Sequence, residues 1–231
     1  MQYGDVVAGV FLSRSNRFVA EVEVAGQREI VHVKNTGRCR ELLVSGATVY
    51  LERSGNPLRR TAYDLIAVEK KRPGKPALLV NMDSQAPNAV AHEWLVGGAL
   101  FGEGAQVRRE VTFGKSRFDL YVESGGRRCF IEVKGVTLEH EGIASFPDAP
   151  TQRGVKHIHE LADAVRLGYE AYILFVLQMK EMREFRPADE LHAEFGEALR
   201  AAAAAGVKVL AMDCRVSPNT LSIDQPVQVV L

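Results

Sequence analysis

Arg117-Phe118-Asp119-Leu120-Tyr121-Val122-Glu123-Ser124-Gly125-Gly126-Arg127-Arg128-Cys129-Phe130-Ile131-Glu132-Val133-Lys134 decides how the longer part of this chain folds. Two runs rich in aromatic and β-branched residues flank a Gly-Gly pair. Such a pair suits a two-residue hairpin loop, which needs positive φ. With Gly125 and Gly126 as the loop, Glu123 faces Arg128, Tyr121 faces Phe130, Asp119 faces Glu132 and Arg117 faces Lys134. Alternation places Phe118, Leu120 and Val122 on one face with Cys129, Ile131 and Val133, the expected core face. Asp119, Glu132 and Lys134 then share the other. Directly opposed residues have Cβ atoms about 4.5–5.5 Å apart, so two opposed carboxylates repel unless a cation lies between them. A hard divalent cation such as Mg²⁺ or Mn²⁺ fits, because it takes one or two carboxylates plus water and phosphate oxygens. Lys134, one strand repeat or about 7 Å from Glu132, is placed to orient a water or offset charge on a scissile phosphate. The competing reading is a solvent-facing hairpin. It accounts for Glu123 opposite Arg128 but leaves like charges facing each other twice.

Downstream, Phe146-Pro147-Asp148-Ala149-Pro150-Thr151-Gln152-Arg153-Gly154 leads into a helix. Asp148 or Thr151 is the expected N-cap. Val155, Ile158, Leu161, Ala162 and Val165 form an apolar stripe, and Arg153, Lys156, His157 and Glu160 the opposite one. That second stripe is either a phosphate-contacting face beside the acids or a plain solvated face, the latter marked by i,i+4 pairing of its cations with nearby acids. Gly154 costs about 1 kcal/mol against alanine in a helix, which points to a close approach there.

Further out, the pattern predicts a helix over 89–101, strands over 107–113, 117–123 and 128–134, a helix over 152–168, a strand over 171–178, a helix over 189–205 and a last strand over 207–212. This order, αβββαβαβ, is an α/β domain with a mixed sheet. The first part reads differently: strands over 6–12, 18–24, 29–33, 47–53 and 63–69, with a turn at 35–38 and a short helical stretch at 40–44. Five strands with that interruption describe a small OB-like barrel, a fold that often binds nucleic acid. Residues 70–76 read as a basic connector. The expected division is 1–83 for the barrel and 84–231 for the α/β domain.

Charge follows this division. Residues 1–83 carry 13 Lys+Arg against 9 Asp+Glu, and the rest carries 16 against 20. A basic barrel with Arg14, Arg17, Lys34, Arg38, Arg40, Arg59 and Arg60, beside an acidic domain, suits DNA as partner, with single-stranded DNA or RNA as further candidates, and the competing reading is a plain solvated barrel surface. Three scattered cysteines form no CxxC pair and read as reduced thiols of a cytoplasmic protein. The longest apolar run, 171–177, is too short to span a membrane.

The chain resembles the sugar fermentation stimulation protein A (SfsA) family. The resemblance is carried by Arg17-Phe18, His32-Val33-Lys34-Asn35-Thr36-Gly37-Arg38, Arg109-Glu110-Val111-Thr112-Phe113-Gly114, Arg117-Phe118-Asp119-Leu120, the 131–138 run from Ile131 through Glu132 and Lys134 to Leu138, and the 146–157 run ending in Lys156-His157. It implies an N-terminal OB fold joined to a domain of the PD-(D/E)XK nuclease class, in DNA-binding proteins linked to sugar metabolism. It places Asp119 and Glu132 as metal-binding acids, Glu110 as a further acid of that motif, and Lys134 as the catalytic lysine. The proline that often precedes the first acid is replaced by Phe118. The implied activity is metal-dependent phosphodiester hydrolysis; the alternative is a non-catalytic DNA-binding regulator of sugar (maltose) metabolism genes.

Overall fold

Period-two apolar patterning builds the N-terminal part of the computed structural model, which describes residues 1–35, 37–114 and 116–231. Its strands are β1 (Val6–Asn16), β2 (Val19–Val24), β3 (Gln27–Val33), β4 (Thr48–Arg53), β5 (Tyr63–Arg72) and β6 (Lys75–Asn81). They lie in the order β3-β2-β1-β4-β5-β6, and a parallel pairing of β3 with β5, His32 beside Asp64 and Val33 beside Leu65, closes the sheet into an OB-type barrel. Phe11, Val22, Val31, Val49, Leu51 and Leu65 fill it.

Two expectations are corrected here. Residues 40–44 are a single turn, not a helix: Leu43 N–H reaches Cys39 O at 2.9 Å, and Gly46, at φ 83°, turns the chain into β4. The 70–76 connector is a hairpin between β5 and β6, turned at Gly74 with φ 67°. Thr36, part of the expected 35–38 turn, lies outside the described residues.

The second part runs α1 (Ala86–Val96), β7 (Gln106–Phe113), β8 (Ser116–Ser124), β9 (Arg127–Val136), β10 (Leu138–His140), β11 (Ile143–Phe146), α2 (Gln152–Arg166), β12 (Glu170–Leu177), β13 (Glu184–Pro187), α3 (Asp189–Ala204), β14 (Lys208–Ser217) and β15 (Thr220–Val229). Among the described residues its sheet has the order β10-β11-β13-β15-β14-β12-β9-β8-β7 and is mixed. β12 is parallel to both its neighbours, β9 and β14, and covered on both faces, so it is apolar from Ala171 to Leu177. On one face, α1 packs with Leu120, Val122, Ile131 and Val133. On the other, α2 and α3 pack with Phe118, Phe130, Ile173 and Phe175. The sequence pattern misses β10, β11 and β13, which are too short for periodicity, and β15, whose alternation Pro226 interrupts. No helix among the described residues is long and apolar enough to cross a membrane.

A buried polar network joins the two parts. Gln178 Nε2 donates to Asn81 Oδ1 at 2.8 Å and to Asp83 O at 3.0 Å, while Asn81 Nδ2 donates to the Tyr3 hydroxyl at 2.9 Å. Every bond satisfies a group that burial would otherwise leave unpaired.

Across the sheet, Glu170 of β12 ties three strands together. Arg127 of β9 grips it in two bonds, 2.6 and 2.9 Å, and Lys208 of β14 reaches it at 2.9 Å. The hydrogen bonds from Arg127 hold its carboxyl at about 2, well below the usual 4.5. A depressed carboxyl contributes stability above its unfolded value and loses it as pH falls through the folded one. Glu170→Gln is therefore expected to lower the thermal midpoint at pH 7, with the gap to wild type closing as pH falls from about 4.5 toward 2. Scanning calorimetry across that window checks it; a gap independent of pH would exclude the ion pair as the cause.

Candidate active site

The Gly125-Gly126 hairpin sets the site. Both glycines have positive φ, 55° and 80°, as a type I′ loop requires. Ser124 pairs with Arg127, Glu123 with Arg128, Tyr121 with Phe130 and Leu120 with Ile131, the register expected from the loop. The β8–β9 ladder then stops at Asp119. The β7–β8 ladder skips it too: Arg109 pairs with Leu120 and Val111 with Phe118, while Glu110 between them sits at φ 54°. β8 therefore splays from both neighbours at Asp119, and its carboxylate takes over a backbone role, accepting the Val133 N–H at 2.8 Å and Asn88 Nδ2 of α1 at 2.8 Å.

This splay corrects three details. Phe118 does not join Leu120 and Val122; it packs on the α2 face with Phe113, Phe130 and the His157 ring. Asp119 does not stand squarely on the same face as Glu132 but bridges from the splayed strand to the start of α1. Arg117 does not face Lys134; it pairs with Thr112, and its side chain meets Glu110 at 3.4 Å.

Glu132 points to the α2 face and is 2% exposed. Its Oε1 receives Lys134 Nζ at 2.5 Å and His157 Nδ1 at 2.5 Å. Its Oε2 is buried with no hydrogen-bond partner. Burial pushes the Glu132 carboxyl up, but His157 and Lys134 more than offset this and hold it below its usual value. Asp119 goes the other way: burial, then the charge of Glu132, raise its carboxyl despite the Val133 N–H, Lys134 and Asn88. One corner thus holds two carboxyls moved in opposite directions, a mark of functional sites. An orphaned carboxylate oxygen beside a second, repelled carboxylate is a donor set that suits a hard cation. Lys134, His157 and Asn88 complete the corner; the contact of Asn88 with Asp119 gives no sequence signal beyond its place after Pro87 at the start of α1.

His157 is the clearest departure from the sequence reading. It is 5% exposed and lies inside, on Glu132, rather than on the solvent stripe. Arg153 and Lys156 are exposed as expected and, with Gln152, Ser116 and Arg117, line a groove of about 440 Å³. Lys156 also approaches Glu160 at 3.7 Å, the i,i+4 pairing expected of a solvated face. Thr151 is the N-cap of α2, its Oγ1 accepting the Gly154 N–H at 3.0 Å. Asp148 does not cap; a Cβ on Gly37 of the barrel would meet its Oδ2 at 2.5 Å, so it abuts the other domain. Gly154 is explained by packing: a Cβ there would lie 2.9 Å from Thr151 Cγ2 and 3.2 Å from Phe195 Cε2.

Glu110 is not brought to the pair. It is exposed and meets Arg117, and among the described residues no group of three His, Cys, Asp or Glu side chains forms a ready-made metal cage. Of the barrel cations, Arg17, Arg38 and Arg40 are exposed around a groove of about 230 Å³ with no acid in its lining. Lys34 is spent on buried Asp83 at 2.7 Å. Arg14 is structural, donating to the carbonyls of Arg17, Asn35, Gly37 and Arg38. Cys39, Cys129 and Cys214 are all buried thiols.

Comparisons with known proteins match both parts of the chain. Residues 12–82 match the SfsA N-terminal OB domain, and residues 85–220 match the sugar fermentation stimulation protein RE domain. A sugar fermentation stimulation protein homolog of Desulfitobacterium hafniense is 52% identical over 231 residues, covering 100% of this chain and 99% of that protein. One from Clostridium beijerinckii is 48% identical over the whole of both chains. The solved structure of Pyrococcus furiosus SfsA in complex with Ca²⁺ superposes with a TM-score of 0.87 at 27% identity, covering 100% of this chain and 98% of that one.

The cap of α2 positions His157, so its loss is felt at the site. Thr151→Ala is expected to cost about 1 kcal/mol in chemical denaturation, and Thr151→Ser only a few tenths. An unchanged midpoint for Thr151→Ala would show that the Gly154 N–H finds another partner.

Proposed function

We propose, for a chain that belongs to the SfsA family, that the Asp119–Glu132–Lys134 corner is a PD-(D/E)XK-type site hydrolysing phosphodiester bonds in nucleic acid gripped by the OB domain. The observation that carries this is Glu132 Oε2, a buried carboxylate oxygen without a partner beside a carboxylate it repels. The Pyrococcus furiosus relative was solved in complex with Ca²⁺, which supports a divalent cation as a ligand of this chain. Asp119 and Glu132 would hold Mg²⁺ or Mn²⁺, which when bound lowers the pKa of a water and neutralises charge developing on the phosphate. Lys134 supplies a fixed positive charge to attacking water or phosphate. His157 fixes the Glu132 carboxylate, and Asn88 and the Val133 N–H fix that of Asp119. Arg153 and Lys156 offer contacts to flanking phosphates. A second reading, a DNA-binding regulator of sugar-metabolism genes that does not cut, draws on Glu132 Oε1, which already holds the Lys134 ammonium and the His157 ring, partners that the protein supplies itself.

A panel of single-stranded DNA, duplex DNA and RNA with Mg²⁺ or Mn²⁺ separates the two. The expected result is cleavage of at least one substrate, reduced about 10²–10³-fold in Asp119→Ala and Lys134→Ala. No cleavage by wild type, or equal cleavage by the variants, sinks the hydrolytic reading; affinity that falls steeply with salt would then favour the regulator. Metal binding has its own readout. A divalent cation at 100 times its dissociation constant adds about 2.7 kcal/mol of stability. His157→Ala is expected to need about 10–100-fold more cation for the same shift in thermal midpoint, and an unshifted titration would remove His157 from the site.

A further inference from the structure

On the barrel, away from the carboxylates, a pocket of about 460 Å³ opens among Phe18, His32, Lys34, Arg59, Asp64 and Gln85. Its size is within the roughly 300–1,000 Å³ of small-ligand sites. Phe18 is 53% exposed, which a lone surface aromatic need not explain. Its backbone, however, is pinned on both sides: its N–H donates to Asn16 Oδ1 at 2.8 Å, and its carbonyl accepts the Val33 N–H at 2.8 Å. The ring is thus presented from a fixed point at the rim of a charged pocket.

The floor is built as carefully. Asp64, 7% exposed, receives Arg59 in two bonds, 2.8 and 2.6 Å, and His32 Nδ1 at 2.8 Å. A carboxylate only accepts, so Nδ1 carries the proton and Nε2 is left to meet a ligand. Burial raises the Asp64 carboxyl, but the hydrogen bonds from Arg59 and His32 hold it low, so the carboxylate persists and keeps both partners oriented. Phe18 belongs to the loop joining β1 to β2, Arg59 to the loop joining β4 to β5, and His32 to β3. In OB folds these loops and this face are where oligonucleotides bind.

We propose that this pocket takes an unpaired nucleobase of a single-stranded nucleic acid, stacked on Phe18 and hydrogen-bonded by His32 and Arg59. The inference rests on the nucleic-acid reading above and narrows its substrate class, since a duplex keeps both faces of each base stacked. Ser84 lines this pocket and also the cleft between the domains, whose lining includes Gly135, the residue after Lys134.

The test is fluorescence anisotropy in EDTA, so that no cleavage is needed, with labelled oligothymidylate and oligouridylate of about 12 nucleotides, within the site size of one OB fold, and a duplex of equal length. Phe18→Ala is expected to weaken single-strand binding about 10-fold and duplex binding hardly at all, with Phe18→Tyr restoring the affinity and Phe18→Leu failing to. Loss confined to one single-stranded probe identifies DNA or RNA as the ligand. Single-strand binding by Phe18→Ala equal to that of wild type, or equal losses on duplex and single strand, overturns the pocket alone. Wild type that binds no probe overturns it together with the nucleic-acid reading. Wild type that binds but never cleaves sinks only the hydrolytic reading.

Discussion

A carboxylate sealed between a sheet and a helix must be neutralised where it stands, and Glu132 is that carboxylate. Removing a charged group from water costs several kcal/mol unless opposite charge and hydrogen bonds replace the solvent. Here the replacements come from two directions, Lys134 two residues along the same strand and His157 from α2. The rest of the corner follows. α2 must begin where His157 can reach Glu132, so Thr151 caps it there, and Gly154 is the residue small enough for that first turn to lie against Thr151 and Phe195. Only one oxygen of Glu132 is satisfied, and the other is buried without a hydrogen-bond partner.

How far the residues announced this differs from element to element. The hairpin register was legible because a two-residue glycine loop admits few alternatives and each step fixes the next pair. The central strand β12 was legible because an apolar run of that length suits a strand covered on both faces. The splay at Asp119 was not. Alternation assumes an unbroken ladder, and here a side chain takes the place of a backbone acceptor, so Phe118 crosses to the other face. His157 was misplaced for a related reason. A helical wheel assigns a histidine beside Arg153 and Lys156 to the wet side, yet its ring is half apolar and its position borders the buried stripe, so a buried acid draws it inward. Glu110 carried a family expectation but no local reason to turn inward, and it sits on the surface beside Arg117.

The two domains meet along a cleft whose lining includes Gly135, the residue after Lys134. Gly37 of the barrel packs so closely on Asp148 that a methyl group would collide with its carboxylate, and the Asn81–Gln178 network anchors the linker. Asp83, beside that network, also takes Lys34. That pair holds Lys34 at the junction, while Arg17, Arg38 and Arg40 stay exposed around the groove beside Gly37. Lys34 is thus held by an acid, and the three arginines face solvent. A polyanion, as proposed above, would draw affinity from such exposed cations, whose counterions are released on binding.

The opposite shifts of Asp119 and Glu132 bear on why such a corner persists. If it served only to stabilise the fold, a neutral side chain at either position would remove the mutual repulsion, and replacing buried charges with apolar groups often stabilises proteins by about 1–4 kcal/mol. Keeping both acids means tolerating a raised carboxyl on Asp119 and an orphaned oxygen on Glu132. Strain of this kind tends to survive where a ligand relieves it. A divalent cation held by these two acids, as proposed above, would relieve both terms by supplying the positive charge that they lack. The cost carried by the corner and the affinity it would show for a metal are therefore the same electrostatic fact.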